Sequence, residues 1–506
     1  MTITAITLLV VIAVFFTLIS RRVSSYFYKA LLKLTSYTLL LVLATVLYSN
    51  SIIDTVSLVL AVFFTVLSLL ISLYTPLYAK SLQYPNTLEV LLDLFLYSLI
   101  TAYIAPNIIV LVSAWTIVEI LGFILIKIGE EHSLEGPLTS SRGFLLTSTT
   151  TYELSVFTFI ATSFFAIGIS PQLLLEPFIS ITYKISIPHI VLPLILLGFL
   201  TKAAITPLHF WLPSAHSTAP SPASAALSGF TVALGYYGLY RVLYYINIDE
   251  LAEYLGITLI ALGLFSIVYG GIEALTQRDV KRLLAYGTIL TNGFILTLFA
   301  LYLLTKLQVA LILVLAGIIT QASYKTTLFC EAGLFEALYE TRYTHLIRGL
   351  LRTLPVSSIG GLLAVLSLIG VPGTLGFIPK IGCLYVVLTT PTLSTTLLVL
   401  TTSSLALYIV FSAIIGSKYI SLYYMQPIRQ IPLVRNVSRL HQSTVLLLGL
   451  TNITITPLFF YVLNYSSLAV ISLALVPIPL TIIYLVIHVT RIPRRVNEVS
   501  STWRSQ

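Results

Sequence analysis

Long apolar stretches recur through almost the whole chain, and they limit its fold more than any other feature. A helix needs about 20 mainly apolar residues to cross the hydrocarbon core of a bilayer. The sequence contains about fifteen such stretches, the first two of them short, at about 3–19, 34–50, 52–75, 88–105, 107–128, 143–169, 186–212, 222–246, 252–275, 281–303, 307–338, 355–389, 394–416, 443–464 and 467–489. Only 9% of the residues are charged and 58% are hydrophobic, which is far from the composition of soluble domains. The sequence therefore predicts an all-α polytopic protein of the cell membrane with about fifteen transmembrane helices.

The distribution of lysine and arginine predicts the orientation of these helices. Positively charged residues collect in the cytoplasmic loops of membrane proteins. With the N-terminus placed outside, most of the 27 such residues fall in inside loops, among them Lys29, Lys33, Lys281 and Arg342. The six exceptions are Lys184, Arg241 and Lys306 in outside loops, and Lys202, Lys325 and Lys380 within the membrane. We therefore expect the N-terminus outside and the C-terminus inside, with residues 418–442 forming a basic, solvated cytoplasmic loop.

The chain lacks the sequence patterns of metal, cofactor and nucleic-acid sites. Its two cysteines, Cys330 and Cys383, form no CxxC or iron-sulfur spacing, and its seven histidines are scattered. There is no Gly-rich phosphate loop. Although the net charge is +9, the basic residues lie at the ends of spans instead of forming one patch, which argues against nucleic-acid binding. We therefore expect no metal, no cofactor and no redox centre on this chain.

One apolar stretch contains a lysine and two prolines where a continuous helix is expected. Lys202 is followed by Pro207 and Pro213 in GFLTKAAITPLHFWLPSAH. A lysine at the centre of a membrane helix costs roughly 2.5–3.5 kcal/mol on insertion scales, and broken backbone is tolerated only where protein or a water-filled cavity covers it. The segment is therefore a candidate ion site. His209 and His216 either relay protons there or only form hydrogen bonds with the backbone.

A second break lies five spans further along the chain. Pro372 and Gly373 precede Lys380 in SLIGVPGTLGFIPK. An odd offset means that the two broken helices cross the membrane in opposite directions, as they do in inverted repeats. The alternative is structural, because a lysine near a helix end can extend its amine to the interface and prolines can produce a simple kink.

Several further charges lie within predicted spans. Glu119 is near the middle of the fifth span, and Lys325 lies inside an apolar run of more than thirty residues. A buried Glu–Lys pair can be poised to pass a proton. Glu153, in the sixth span, is either part of a pathway or a buried acid with satisfied hydrogen bonds. Three acids nearer the ends of spans are expected to be interfacial: Asp93, Glu273 and Glu331.

Four stretches together resemble one known family. KAAITPLHFWLPSAHSTAPSPASAALSG is similar to the signature of the antiporter-like membrane subunits shared by respiratory complex I, Mrp-type cation/proton antiporters and membrane-bound hydrogenases. The intramembrane Glu119 after Trp115, the stretch TQRDVKRLLAYGTILTNGF and the stretch GVPGTLGFIPK agree with the same family. The resemblance covers about Glu119 to Lys380.

The resemblance implies an internal organisation and a row of buried charges. It implies two inverted five-helix repeats with broken helices, at about 85–247 (spans 4–8) and 248–417 (spans 9–13). The first three spans, 1–84, would precede them, and 418–506 would hold the cytoplasmic loop, two further spans and a basic tail. Glu119 and Lys202 match the pair of the first half-channel, Lys325 matches the central lysine, and Lys380 matches the terminal lysine.

Two positions depart from the family pattern. Ala233 stands where many members have a lysine in the eighth helix, and Gln321 replaces a histidine ahead of the central lysine. Both changes affect the usual link between the half-channels. His216, Tyr236 or water would have to bridge the gap.

The resemblance predicts a proton-translocating subunit of a redox-driven membrane complex, similar to NADH:quinone oxidoreductase or to membrane-bound hydrogenase. Such a subunit is part of an ion-translocating oxidoreductase without a redox centre of its own. Its expected partners are other membrane and peripheral subunits, the lipid bilayer and protons, with sodium as the alternative ion. Two alternatives stay open: a sodium/proton antiporter subunit of Mrp type and a non-conducting structural subunit.

Overall fold

The computed structural model describes residues 2–132, 139–167, 172–180, 184–391, 393–424 and 437–491. Within these ranges the regular structure is helical, apart from two isolated β-bridges. The α-helices are α1 Thr2–Arg22, α2 Tyr26–Ser49, α3 Thr55–Leu82, α4 Thr87–Tyr103, α5 Ile108–His132, α6 Ser140–Phe144, α7 Thr150–Ile167, α8 Gln172–Leu175, α9 Leu192–Lys202, α10 Trp211–Thr218, α11 Ser221–Ala226, α12 Val232–Tyr245, α13 Ala252–Thr276, α14 Val280–Thr305, α15 Gln308–Tyr339, α16 Leu350–Thr353, α17 Pro355–Ile369, α18 Phe377–Thr389, α19 Thr395–Tyr424, α20 Arg439–Val462, α21 Ser466–Leu475 and α22 Pro477–Arg491. The predicted all-helical architecture is confirmed for these residues.

The helices follow the predicted spans closely, and several spans consist of two shorter helices. Nine helices in the described part of the chain are long and apolar enough to cross a bilayer, by length and composition. Three shorter apolar helices, His189–Lys202, Pro355–Ile369 and Phe377–Thr389, lie next to the two breaks. The number of fifteen crossings and their direction stay predictions.

The first broken span interrupts its helix directly after Lys202. Helix α9 ends there, and α10 begins only at Trp211. The connection contains Ala204 at φ +52° and the cis peptide bond before Pro207. The prediction that Pro213 also breaks the helix was wrong. Pro213 lies in the first turn of α10, where the backbone N–H that proline lacks has no partner within the helix.

The second broken span turns at glycines. Helix α17 ends at Ile369, Gly370 follows at φ +84° and Gly373 has φ +88°. A Cβ atom at Gly373 would also collide with the backbone carbonyl of Leu475. Helix α18 then begins at Phe377. Left-handed backbone and close backbone approach both favour glycine at these positions.

Two other spans contain a π-helical turn. The turn Leu145–Thr149 joins α6 to α7, and the turn Leu227–Thr231 joins α11 to α12. Such turns are frequent at functional sites in helices. The first places Ser148 beside Glu119, and the second contains Ser228, which bonds to side chains of α14 and α15.

Helix α15 lies at the centre of the bundle. It packs against α3, α11, α14, α17, α18 and α20, and it is buried over almost its whole length. Neighbouring helices approach one another closely through small residues, as is common in membrane proteins. Gly263 of α13 and Gly293 of α14 are an example, because a Cβ on either would meet the other's carbonyl oxygen.

The region after residue 417 differs from the prediction of a loop over 418–442. Helix α19 continues to Tyr424, and α20 begins at Arg439. The helix continues because Tyr419 and Tyr423 are buried against the bundle. The predicted repeat boundary at 417 therefore falls inside a helix. Residues 425–436 of the predicted loop and the predicted basic tail beyond 491 lie outside the described residues.

Candidate functional site

Glu119 of α5 and Lys202 of α9 form a buried ion pair. The distance from Lys202 Nζ to Glu119 Oε1 is 2.5 Å, and both side chains are 0% exposed. Trp115, one turn before Glu119, donates an indole N–H to Oε1 at 2.9 Å and stacks on Tyr152. Ser148 Oγ lies 3.2 Å from Lys202 Nζ and 3.4 Å from Glu119 Oε1. The structure thus brings together two residues separated by 83 positions in the sequence.

Aromatic rings surround the cation of this pair. Lys202 Nζ lies 4.9 Å from the ring centroid of Phe144 and 5.8 Å from that of Trp211. Ring faces attract cations, and the attraction is larger where water is excluded. Lys202 is also the last residue of α9, where the exposed carbonyl groups favour positive charge. The ammonium group is therefore stabilised by Glu119, by aromatic faces and by a helix end.

His216 lies on the side of this pair that faces α15. Its ring is 6.4 Å from the ring of Trp211 and 5.5 Å from the ring of Phe329, between centroids. The side chain is 0% exposed, and neither ring nitrogen has a hydrogen-bond partner among the described residues. Trp211 also lies beside Lys202 Nζ, and Phe329 follows Lys325 by one turn of α15. Of the two predicted histidines, this one is positioned between the lysines.

Two other predicted residues do not join the cluster. The ring of His209 packs 4.5 Å from that of Tyr269 on α13, between centroids, and its Nδ1 has no partner among the described residues. Glu153 is exposed on the outer surface of α7. The prediction of a pathway residue or a satisfied buried acid at Glu153 was therefore wrong in its assumption of burial, because the side chain faces away from the bundle.

Lys325 is buried in α15 without a carboxylate in contact. Its Nζ donates to the backbone carbonyl of Leu284 at 2.5 Å and lies 5.4 Å from the Tyr324 ring centroid. Among the described residues no ion pair includes this lysine. Gly287 leaves the space that the ammonium group occupies, since a Cβ there would be 3.1 Å from Nζ.

Lys380 of α18 caps the end of the preceding helix half. Its Nζ donates to the carbonyl oxygens of Leu368 at 3.0 Å and Ile369 at 2.6 Å, and to Ser412 Oγ at 2.8 Å. It also lies 4.8 Å from the Tyr408 ring centroid. The last carbonyls of a helix lack partners within the helix and attract positive charge. Lys380 satisfies those of α17 where the break exposes them.

Near Ala233, Tyr236 and Asn292 form hydrogen bonds to the backbone, and of these two residues only Tyr236 was expected to bridge the gap. Asn292 of α14 donates from Nδ2 to the carbonyl of Ala203 at 2.5 Å, next to Lys202. The hydroxyl of Tyr236, one turn after Ala233, donates to the carbonyl of Asn292 at 2.5 Å. For Asn292, the sequence signal was an asparagine inside an apolar span.

Gln321 takes part in a second link between the two predicted repeats. Its Nε2 donates to the carbonyl of Ser228 at 3.3 Å, and the Ser228 hydroxyl bonds to that of Thr288 at 2.8 Å. Both contacts involve the π-helical turn that precedes α12. At the position where the family has a histidine, Gln321 thus makes a neutral hydrogen bond through its side-chain amide.

A further buried ion pair joins α2 and α4. Lys33 Nζ lies 2.9 Å from Asp93 Oδ2, and both side chains are 1% exposed. Lys33 also donates to the carbonyl and hydroxyl oxygens of Ser72, and Asp93 Oδ1 accepts from Tyr37 and Ser72. The expectations of an inside loop for Lys33 and of an interfacial acid for Asp93 were both wrong. Helix α2 begins eight residues earlier than the predicted span, at Tyr26, so Lys33 lies inside the helix.

Two basic residues expected in inside loops, Lys281 and Arg342, hold the end of α10. Lys281 Nζ and Arg342 Nη1 lie 2.9 Å and 3.0 Å from Glu336 Oε1. Lys281 also donates to the carbonyl of Ala219, and Arg342 donates to that of Ser217. These carbonyls belong to the C-terminal end of the helix that contains His216. Lys281 and Arg342 were expected to be solvated, but they are 1% and 7% exposed.

Glu331 was expected to be interfacial and is instead 0% exposed. Its Oε2 accepts hydrogen bonds from Tyr423 at 2.7 Å and from Tyr419 at 3.2 Å. The acid is buried because α15 is 32 residues long and other helices cover this part of it, and its depth in the membrane stays a prediction. Glu273, by contrast, is only partly buried. Among the described residues no group of three His, Cys, Asp or Glu side chains is placed to hold a metal ion.

A helical membrane bundle with broken helices and buried lysines defines an antiporter-like membrane subunit, and comparison with known proteins agrees. Residues 145–406, just over half of the chain, match the family model described as NADH:quinone oxidoreductase/Mrp antiporter, TM. The chain belongs to this family, and it is a multi-pass protein of the cell membrane.

Individual relatives come from several branches of the family. The chain is 30% identical over 273 residues to the putative antiporter subunit mnhA2 of Staphylococcus epidermidis, covering 52% of this chain and 33% of that protein. It is 35% identical over 170 residues to hydrogenase-4 component B of Escherichia coli, covering 31% and 25%. The matched segments thus span a third or less of these relatives.

The fold also matches a solved structure. A chain of the Mrp complex from Dietzia sp. DQ12-45-1b superposes with a TM-score of 0.70 at 16% sequence identity, over 94% of this chain and 98% of that chain. At this level of identity the match shows a shared fold.

Proposed function

We propose that the chain is a proton-translocating subunit of a larger, redox-driven membrane complex. The observation that supports this most directly is the Glu119–Lys202 pair, in which both charges are completely buried beside a broken helix. Ionisable residues inside a membrane are costly and commonly mark ion pathways. Related proteins named as a hydrogenase component and an antiporter subunit support a role within a complex that contains other subunits.

In this proposal, protons move along the row of buried lysines. Lys202 holds a proton while Glu119 is in contact and releases it when the contact opens. His216 and the Asn292–Tyr236 chain then connect Lys202 to Lys325, and Lys380 is the last site. Neutralising one site changes the protonation of the next, because charges interact strongly in a low-dielectric interior. Partner subunits provide the driving energy through conformational change.

The test uses the assembled complex in sealed vesicles, with electron transfer as the driving reaction. Glu119→Gln keeps hydrogen-bonding groups for Trp115 and Lys202 but cannot carry the charge. We expect electron transfer to continue in this variant, while proton translocation falls to near the background leak. Glu153→Gln, which changes an exposed acid, is the matched control and should translocate normally. Normal translocation by Glu119→Gln would contradict the proposal and favour a non-conducting structural subunit.

A second candidate is a sodium/proton antiporter subunit of Mrp type. The relative named as a putative antiporter subunit and the fold of the Mrp complex favour it. Exchange of labelled sodium in vesicles that contain no electron donor distinguishes the two. Sodium counterflow that depends on Glu119 would favour the sodium/proton antiporter subunit over the redox-driven proton-translocating subunit.

A further inference from the structure

The carboxyl group of Glu331 is buried in the second predicted repeat without a cation. Its Oε2 accepts from the two tyrosine hydroxyls, and its Oε1 has no partner among the described residues. No ion pair in the described part of the chain includes it. A side chain at Gly361 of α17 would collide with the carboxyl group and with Tyr423. The space for this acid is therefore built by α17 and α19 together.

Helix α19 connects this acid to Lys380. Ser412, which accepts from Lys380 Nζ, and Tyr419 and Tyr423, which donate to Glu331, are seven and eleven residues apart. At about 100° per residue, each tyrosine lies within roughly 20° of Ser412, and the two tyrosines are roughly 40° apart, so all three share one helix face. Ser412 and Tyr419 are separated by about 10 Å along the helix axis. One face of α19 thus contacts both the acid and the lysine.

The two repeats differ in how their lysines are balanced. In the first repeat Lys202 contacts Glu119 directly. In the second, the contacts of Lys325 and Lys380 within the described part of the chain are with carbonyls, hydroxyls and rings. Glu331 of α15 and Lys380 of α18 both contact side chains of α19. The α19 side chains that contact these two groups are separated by about 10 Å or more along the helix axis, and charges at such separations still interact in a low-dielectric interior.

We propose that Glu331 is a further proton-binding site, whose protonation is coupled electrostatically to that of Lys380 across the shared face of α19. The proposal rests on the proposed function and adds to it a carboxyl group for the second repeat. The bound species is a proton, which the carboxyl takes up as Lys380 gives one up and returns when Lys380 is reloaded. The titratable groups that face the carboxyl are Tyr419 and Tyr423 of α19, and Tyr74 of α3 bonds to the neighbouring carbonyl of Cys330.

Two readouts on the assembled complex test this site. The first is redox-driven proton translocation in vesicles by Glu331→Gln, which still accepts from both tyrosines but cannot bind a proton. We expect translocation to fall at least about tenfold, to the level of Lys380→Met. The second is infrared difference spectroscopy of the complex during turnover. We expect a carboxylic-acid signal that Glu331→Gln removes and that Glu153→Gln, which should translocate normally, retains.

The outcomes separate this site from the proposed function. If Glu119→Gln blocks translocation while Glu331→Gln translocates normally, the proton-binding role of Glu331 is wrong and the proposed function stands. If both translocate normally, both proposals are wrong. If Glu331→Gln does not assemble, Glu331→Asp and Tyr423→Phe replace it. Both variants keep a titratable carboxyl group at position 331. A pH dependence of translocation that differs from that of the wild type supports the site. An unchanged pH dependence, together with no infrared carboxylic-acid signal during turnover, overturns it.

Discussion

The Lys33–Asp93 pair allows a quantitative test of how buried charges contribute to this fold. Removing one partner of a buried pair typically costs about 3–5 kcal/mol, since the other charge is left without compensation. In Lys33→Met, Asp93 would keep only the hydroxyl donors of Tyr37 and Ser72. Because these donors partly compensate the charge, we expect a loss near the lower end, about 3 kcal/mol, in the free energy of unfolding.

The double variant Lys33→Met/Asp93→Leu should recover most of this loss. Replacing a buried ion pair with apolar side chains of similar volume is often neutral or stabilising. We therefore expect the double variant to lie within about 1 kcal/mol of the wild type, so that the two single changes are strongly non-additive. The measurement is reversible denaturant unfolding of the purified full chain in detergent micelles, followed by helical circular dichroism.

A matched control lies one helical turn away. Lys29 and Glu89 form an equivalent pair at 3.2 Å between the same two helices, with side chains 17% and 9% exposed. Because Lys29 reaches solvent, Lys29→Met should cost less, about 1 kcal/mol. Equal losses for Lys29→Met and Lys33→Met, or additive losses in the double variant, would refute the reasoning from burial.

Three further predictions concern other parts of the chain. Gly373→Ala should destabilise the fold by about 1–3 kcal/mol, because φ is +88° and the added Cβ meets Leu475, whereas Gly143→Ala, with nothing within 4 Å, should be neutral in the same unfolding assay. Asn292→Leu should slow proton translocation without loss of assembly, since it removes the bond to Ala203; an unchanged rate would exclude this link from the pathway. The third concerns Asp54, which caps α3: burial alone would raise the pKa of its carboxyl, but the charge and hydrogen bonds of Arg241 outweigh it and hold the pKa below its usual 3.8. A lowered pKa in the folded state contributes stability above the unfolded value and loses it as the pH falls through the folded value. The difference in unfolding free energy between wild type and Arg241→Gln should therefore be constant above about pH 5 and shrink below about pH 4, and a constant difference down to pH 2 would contradict this assignment.

The helix positions and the two breaks could be predicted from the sequence because they depend on local properties. Apolar length marks the spans, and proline and glycine beside Lys202 and Lys380 mark the interruptions. The error at Pro213 arose from counting every proline as a breaker, although a proline in a first turn is compatible with a helix.

The pairing of charges could not be predicted, because it depends on helix rotation and packing. Lys33 and Asp93 are 60 residues apart, and nothing local identifies them as partners. Positions near the ends of predicted spans suggested solvent for Lys281 and Glu331, but neighbouring helices extend past these ends and cover them. Glu119 and Lys202 could be singled out as charges within apolar spans, and the family resemblance matched them as a pair, but their contact required the structure.

The π-helical turn before α12 makes the length of this segment as important as its composition. A π-helical turn holds about one residue more than the α-helical turn that it replaces. Deleting one residue within Leu227–Thr231 would therefore give regular α-helix, and the helix beyond the turn would keep nearly the same rotation. Deleting one residue after the turn, between Val232 and Tyr236, would instead rotate Tyr236 by about 100° away from Asn292. Sequence comparisons of this segment accordingly need a gap at the turn to bring equivalent faces into register.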